Sequence, residues 1–121
     1  MGNHDMDHME FLERIADGDV LNLNVKESTY KGSWKRRGGV GAFMMLARKW
    51  DRIEPMSESG GYDIFAIIER QGLEGEDGTL LAEIRDLRRY LLLVEAEVVS
   101  RFMKMEQMVP RHEGKKQRTV R

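Results

Sequence analysis

Two sets of residues in this 121-residue chain have the types and spacing to do chemistry. The first is the run Tyr30-Lys31-Gly32-Ser33-Trp34-Lys35-Arg36-Arg37-Gly38-Gly39-Val40-Gly41, which leads straight into a helical pattern. Backbone N–H groups at a helix start attract anions, and Gly38, Gly39 and Gly41 allow close approach to a phosphate. Tyr30 and Trp34 can stack on a flat ring, while Lys35, Arg36 and Arg37 supply charge. The spacing matches neither a Walker loop nor a dinucleotide fingerprint, and a solvated basic loop would have the same composition. The second set is Glu83, Asp86 and Tyr90, at steps of three and four on one helix edge. Two carboxylates so placed can hold one hard divalent cation. The alternative reading of that edge is an ion-pair lattice with Arg85, Arg88 and Arg89.

Helices must position both sets. Two prolines and long runs of Leu, Met, Glu and Arg indicate an all-α protein, a compact bundle of about four helices with one long C-terminal helix. The expected organisation is a flexible N-terminus over 1–8, a single helical domain over 9–108, and a basic, disordered tail over 109–121. A short first helix over 9–16 should stop at Asp17-Gly18, leaving an irregular, partly extended approach to the loop. The second helix should run from Gly41 to Ile53, with Phe43, Leu46, Ala47, Trp50 and Ile53 as its buried stripe. Pro55 and the Ser57–Gly61 cluster should end it. On this helix Lys49 and Arg52 project together from one flank, and Asp51 and Glu54 from the other. A short third helix is predicted over 62–70. In the last, over 79–107, Leu80, Ile84, Leu87, Leu91, Val94 and Val98 alternate in steps of four and three. Its wider apolar arc calls for cover on more than one side, part of it from a second subunit.

Composition narrows the function. No cysteine is present, so a disulfide framework and a thiolate metal site are excluded, which suits a cytoplasmic protein. Nothing approaches the roughly 20 apolar residues of a membrane span, and no secretory pattern opens the chain. The net charge of -1 exerts no overall pull on nucleic acid. The cations sit in one loop and the tail and do not stripe a helix, so DNA binding is disfavoured. His4, Asp5, Asp7 and His8 have spacing for a divalent ion but read better as a mobile terminus. His112 has no companion ligands, and no Ser/His/Asp or Cys/His arrangement can be drawn.

The order of these motifs carries a resemblance. Tyr30-x-Gly32-Ser33-Trp34, the glycine-broken helix start, Arg48-Lys49-Trp50-Asp51-Arg52-Ile53 and Asp86-Leu87-Arg88-Arg89-Tyr90-Leu91 resemble the all-α NTP pyrophosphatases of the MazG-like superfamily, in their phage nucleotide-modification-associated branch. The likeness spans residues 26–97. It implies a homodimer or homotetramer that binds a nucleotide and uses Mg²⁺ to split a nucleoside triphosphate into monophosphate and pyrophosphate. Glu83-Ile84-Arg85-Asp86 matches the family's Glu-x-x-Asp metal motif. Its Glu-Glu-x-x-Glu motif is missing, its place taken by Arg48–Glu54. The implied roles are Glu83 and Asp86 on the metal, and Asp51 or Glu54 orienting the attacking water. Lys26, Tyr30, Trp34, Arg36, Arg37, Lys49, Arg52 and Tyr90 would contact the substrate. Two other classes stay open: a non-hydrolytic phage protein that sequesters a nucleotide in anti-defence, and a structural helical assembly module.

Overall fold

A computed structural model of the chain describes residues 7–108, with side chains described through 107. The expected tail, most of the expected flexible N-terminus, and His4, Asp5 and His112 lie outside the described residues. Among the described residues all regular structure is helical: α1 His8–Tyr30, a 3-10 turn Ser33–Lys35, α2 Gly38–Glu58, α3 Ile64–Gln71 and α4 Leu80–Met108. These elements form two compact units whose boundary falls inside α2, between Met44 and Met45.

In the first unit, Asp7 caps α1 by accepting a hydrogen bond from the Glu10 amide at 2.9 Å. Its carboxylate therefore serves a helix start, a more ordinary role than the ion site its spacing suggested. The helix then continues through Asp17-Gly18, and the short helix and extended approach expected there are overturned. A glycine stops a helix when it takes the left-handed conformation, and Gly18 does not. Its mid-helix cost of about 1 kcal/mol is too small to break 23 residues of otherwise helical chain. The stop comes at Lys31 (φ 51°) and Gly32 (φ 74°), where the Lys31 amide donates to the Glu27 carbonyl at 2.8 Å.

In the second unit, α2 passes through Pro55 and ends one turn later, beyond the predicted stop. Proline removes one amide donor but leaves its own carbonyl in play, and Ser59 donates to it at 3.1 Å. Tertiary burial holds this turn, because Ser57 is buried and Met56 packs on the core. The chain then reverses within a few residues. Tyr62 donates its amide to the Ser57 carbonyl at 2.7 Å, and Asp63 caps α3 through the Ala66 amide at 3.1 Å. Gly60 is needed here because a Cβ would collide with Ile67.

Packing of α3 on α4 builds the core around Ile53, Ile67 and Leu80, with Met56, Ile68, Ile84 and Leu87 against them. The start of α4 is held from two directions: Gln71 Oε1 accepts from the Leu80 amide at 2.9 Å, and Thr79 Oγ1 from the Ala82 amide at 3.3 Å. Across the preceding loop, Arg85 donates to the Leu73 and Glu74 carbonyls at 3.0 and 3.1 Å. Among the described residues no helix is long and apolar enough to cross a membrane.

Candidate functional site

Burying Ile53 and Leu80 turns one flank of α2 toward one edge of α4. Lys49 and Arg52 precede Ile53 by four residues and one, so they flank the buried position. Glu83 and Asp86 are three apart and border the buried Leu80 and the partly buried Ile84 and Leu87. The consequence is a charged seam beside the core. Lys49 Nζ lies 3.0 Å from Asp86 Oδ2, to which it donates, and 3.6 Å from Glu83 Oε1. Arg52 Nη1 is 3.8 Å from the same Glu83 oxygen. The Lys49 and Glu83 side chains are only 16% and 9% exposed, so water screens this pair poorly.

Glu83 is the unusual member. Its Oε1 is buried and accepts no hydrogen bond. Both cations near it stand beyond good hydrogen-bonding distance, which leaves a desolvated acceptor with Coulombic support alone. A hard cation or a donor on a ligand would satisfy it. Mg²⁺ is usually held by one or two carboxylates and completes its shell with substrate phosphate oxygens and water. The Glu83–Asp86 pair fits that limited demand. Among the described residues no group of three or more His, Cys, Asp or Glu side chains offers a fuller protein cage.

One arginine of the expected lattice is engaged elsewhere, and cations from another helix reach the two carboxylates. Arg85 is turned to the loop carbonyls, whereas Lys49 and Arg52 reach Glu83 and Asp86 from another helix. A signal was present in the chain: Lys49-x-x-Arg52 and Glu83-x-x-Asp86 have one spacing and opposite sign. Tyr90 follows Asp86 by one turn on the same side of α4 and is half-buried. Asp51 and Glu54 are exposed, at about 200° and 140° around α2 from Lys49, on the face away from the seam. The structure thus gathers Lys49, Arg52, Glu83 and Asp86 and leaves Asp51 and Glu54 apart from them.

The remaining sequence candidates belong to the first unit. Lys26 is exposed near the end of α1, Tyr30 is its exposed last residue, and Trp34 is half-buried in the 3-10 turn. Arg36 and Arg37 are exposed immediately before α2. That helix opens on Gly38 (φ 73°) with no acidic side chain in its first turn to offset the positive end of its dipole. Gly41 makes room for Arg37: a Cβ there would come within 2.7 Å of the Arg37 Cβ. The loop is therefore a short ordered turn with two arginines at a helix N-terminus.

No family model, curated protein or solved structure matches this chain. The site has to be read from its own geometry.

Proposed function

We propose that this protein is a MazG-like, nucleotide-binding pyrophosphohydrolase that converts a nucleoside triphosphate and water into monophosphate and pyrophosphate with Mg²⁺. The observation that carries this reading is the buried, unbonded Glu83 oxygen beside Asp86, faced by Lys49 and Arg52. A magnesium–triphosphate complex presents a cation and an anion together. Its arrival exchanges each internal ion pair for one with the ligand, so no buried charge is stranded. Glu83 and Asp86 would hold the metal, which when bound offsets negative charge that develops on the phosphates. Lys49 and Arg52 would pass from the carboxylates to phosphate oxygens. Arginine suits bidentate phosphate contact, and lysine acts as a point charge. The order of motifs over residues 26–97 supports the same reading.

A second reading is favoured by one distance. The 3.0 Å Lys49–Asp86 bond already neutralises the better-exposed carboxylate without metal. In that case the protein binds a nucleotide and does not cleave it. Pyrophosphate release from a panel of ribo- and deoxyribonucleoside triphosphates, with and without Mg²⁺, tests both, together with thermal shifts. Hydrolysis that needs Mg²⁺ and disappears in Glu83→Gln supports the enzyme. A thermal shift without product, reaching about 2.7 kcal/mol at a hundred times the dissociation constant, supports the binder. Neither product nor shift with any nucleotide rejects both.

A further inference from the structure

The two cations of the charged seam are not equivalent. Lys49 Nζ bridges both carboxylates, 3.0 Å from Asp86 Oδ2 and 3.6 Å from Glu83 Oε1. Its side chain is 16% exposed, whereas that of Arg52 is 53% exposed and lies 3.8 Å from Glu83. Arg52 can turn into water when another cation approaches Glu83, and hydration offsets the lost pair. Lys49 has a poorer exit. Its neighbours at steps of three and four along α2 are Met45, Leu46, Arg52 and Ile53, none of them a carboxylate. Leaving Glu83 and Asp86 would place its ammonium, without a counter-charge, in a seam that water reaches poorly.

We propose that Lys49 is an internal counter-ion that holds free divalent cations off the Glu83–Asp86 pair and yields only when a cation and a phosphate arrive together. A divalent cation drawn to the pair must displace this ammonium or sit beside it, and like charges repel strongly where screening is weak. A phosphate group changes the balance, because it gives Lys49 a new anionic acceptor and keeps it paired. The buried Glu83 Oε1 supplies the drive. At 3.6 Å Lys49 guards that oxygen without hydrogen-bonding it, so a cation that bonds it directly gains most. On the metal–phosphate reading of the seam, on which this depends, each component admits the other, and such coupling is reciprocal.

The test uses the full chain, with Mn²⁺ as a hard cation suited to carboxylate and water ligands, and inorganic tripolyphosphate as the phosphate. Electron paramagnetic resonance counts free Mn²⁺. Titration calorimetry follows tripolyphosphate alone, in EDTA, and its one-to-one Mn²⁺ complex. The parent protein should bind the complex about tenfold tighter than either component alone, inside the usual range of coupling between sites. Lys49→Met and Lys49→Gln should each bind free Mn²⁺ about tenfold tighter than the parent protein does. Lys49→Arg, which keeps the charge, should not. Two neutral variants are used so that one that fails to fold, as circular dichroism would reveal, leaves the other. A purely structural lysine would leave metal binding unchanged or weaken it on removal. Unchanged Mn²⁺ affinity in the folded neutral variants, or equal tightening in Lys49→Arg, would overturn the role of Lys49; binding of the complex in the same series would leave the nucleotide reading standing. Tighter Mn²⁺ binding by the neutral variants, with no binding of the complex to the parent protein, would overturn the coupling to phosphate and the nucleotide reading with it.

Discussion

Replacing Lys49 by methionine keeps an unbranched apolar stem, with sulfur in place of Cδ, and removes the ammonium group. Two carboxylates then lose their nearest cation, one of them 9% exposed and already without a hydrogen bond. Exposed ion pairs contribute at most about 1 kcal/mol, and breaking a buried one costs about 3–5 kcal/mol. Lys49 and Glu83 are mostly buried, while Asp86 at 35% exposure and Arg52 at 53% keep contact with water. An intermediate loss of about 2 kcal/mol follows, equivalent to roughly 8 °C in melting temperature at about 4 °C per kcal/mol for a chain of this size. Urea unfolding followed by circular dichroism reads the value directly. Adding Glu83→Gln to Lys49→Met should cost about 1 kcal/mol less than the two single losses summed, because the pair is coupled. Mg²⁺ should raise the stability of Lys49→Met more than that of the parent protein, since it can take the vacated place between the carboxylates. A loss below about 0.5 kcal/mol, the range of an ordinary surface substitution, would refute the coupling of α2 to α4 through this seam.

Other perturbations probe the frame that holds the seam. Leu80→Ala empties the most buried position of the core and should cost about 3 kcal/mol in urea unfolding. A cost under about 1 kcal/mol would mean that Leu80 is not packed as described. Gly60→Ala drives a methyl group into Ile67 and should destabilise by about 1–3 kcal/mol, whereas the uncrowded Gly39→Ala should not. Asp63→Ala removes the α3 cap and should cost about 1 kcal/mol, with Asp63→Asn recovering most of it; equal losses would reject the cap.

The helical nature of the chain and the long last helix were legible because they rest on repeated local signals. From Leu80 to Val98 the four-three alternation recurs, and no single residue decides it. Two of the wrong boundaries came from single residues read as stop signals, while α2 also begins at Gly38, three residues before its expected start. Asp17-Gly18 resembles a helix end, but a glycine ends a helix only where the chain turns left-handed, and that happens at Lys31-Gly32. Pro55 does forfeit an amide donor, yet burial of Ser57 and Met56 holds one further turn in place. Burial of that kind is a tertiary effect, and the local sequence does not carry it.

Each half of the charged seam was legible, but the partnership between the halves was not. Helical spacing alone put Lys49 with Arg52 and Glu83 with Asp86. The arginines closest in sequence to the carboxylates were the natural candidates to pair with them. Arg85 is instead drawn away by two carbonyls of the loop before α4, those of Leu73 and Glu74, to which it donates. Lys49 and Arg52 take its place because Ile53, between them and the core, must be buried against Leu80. The site is therefore a by-product of core packing. Burial of one isoleucine sets which cations face which carboxylates and leaves Glu83 with an oxygen that no backbone or side-chain donor reaches. A fold that needed only neutrality there could have used two well-packed apolar residues at no loss of stability. Retaining four charges, with one acceptor unsatisfied, costs stability, and a ligand that brings both a cation and an anion is the chemistry that would recover it.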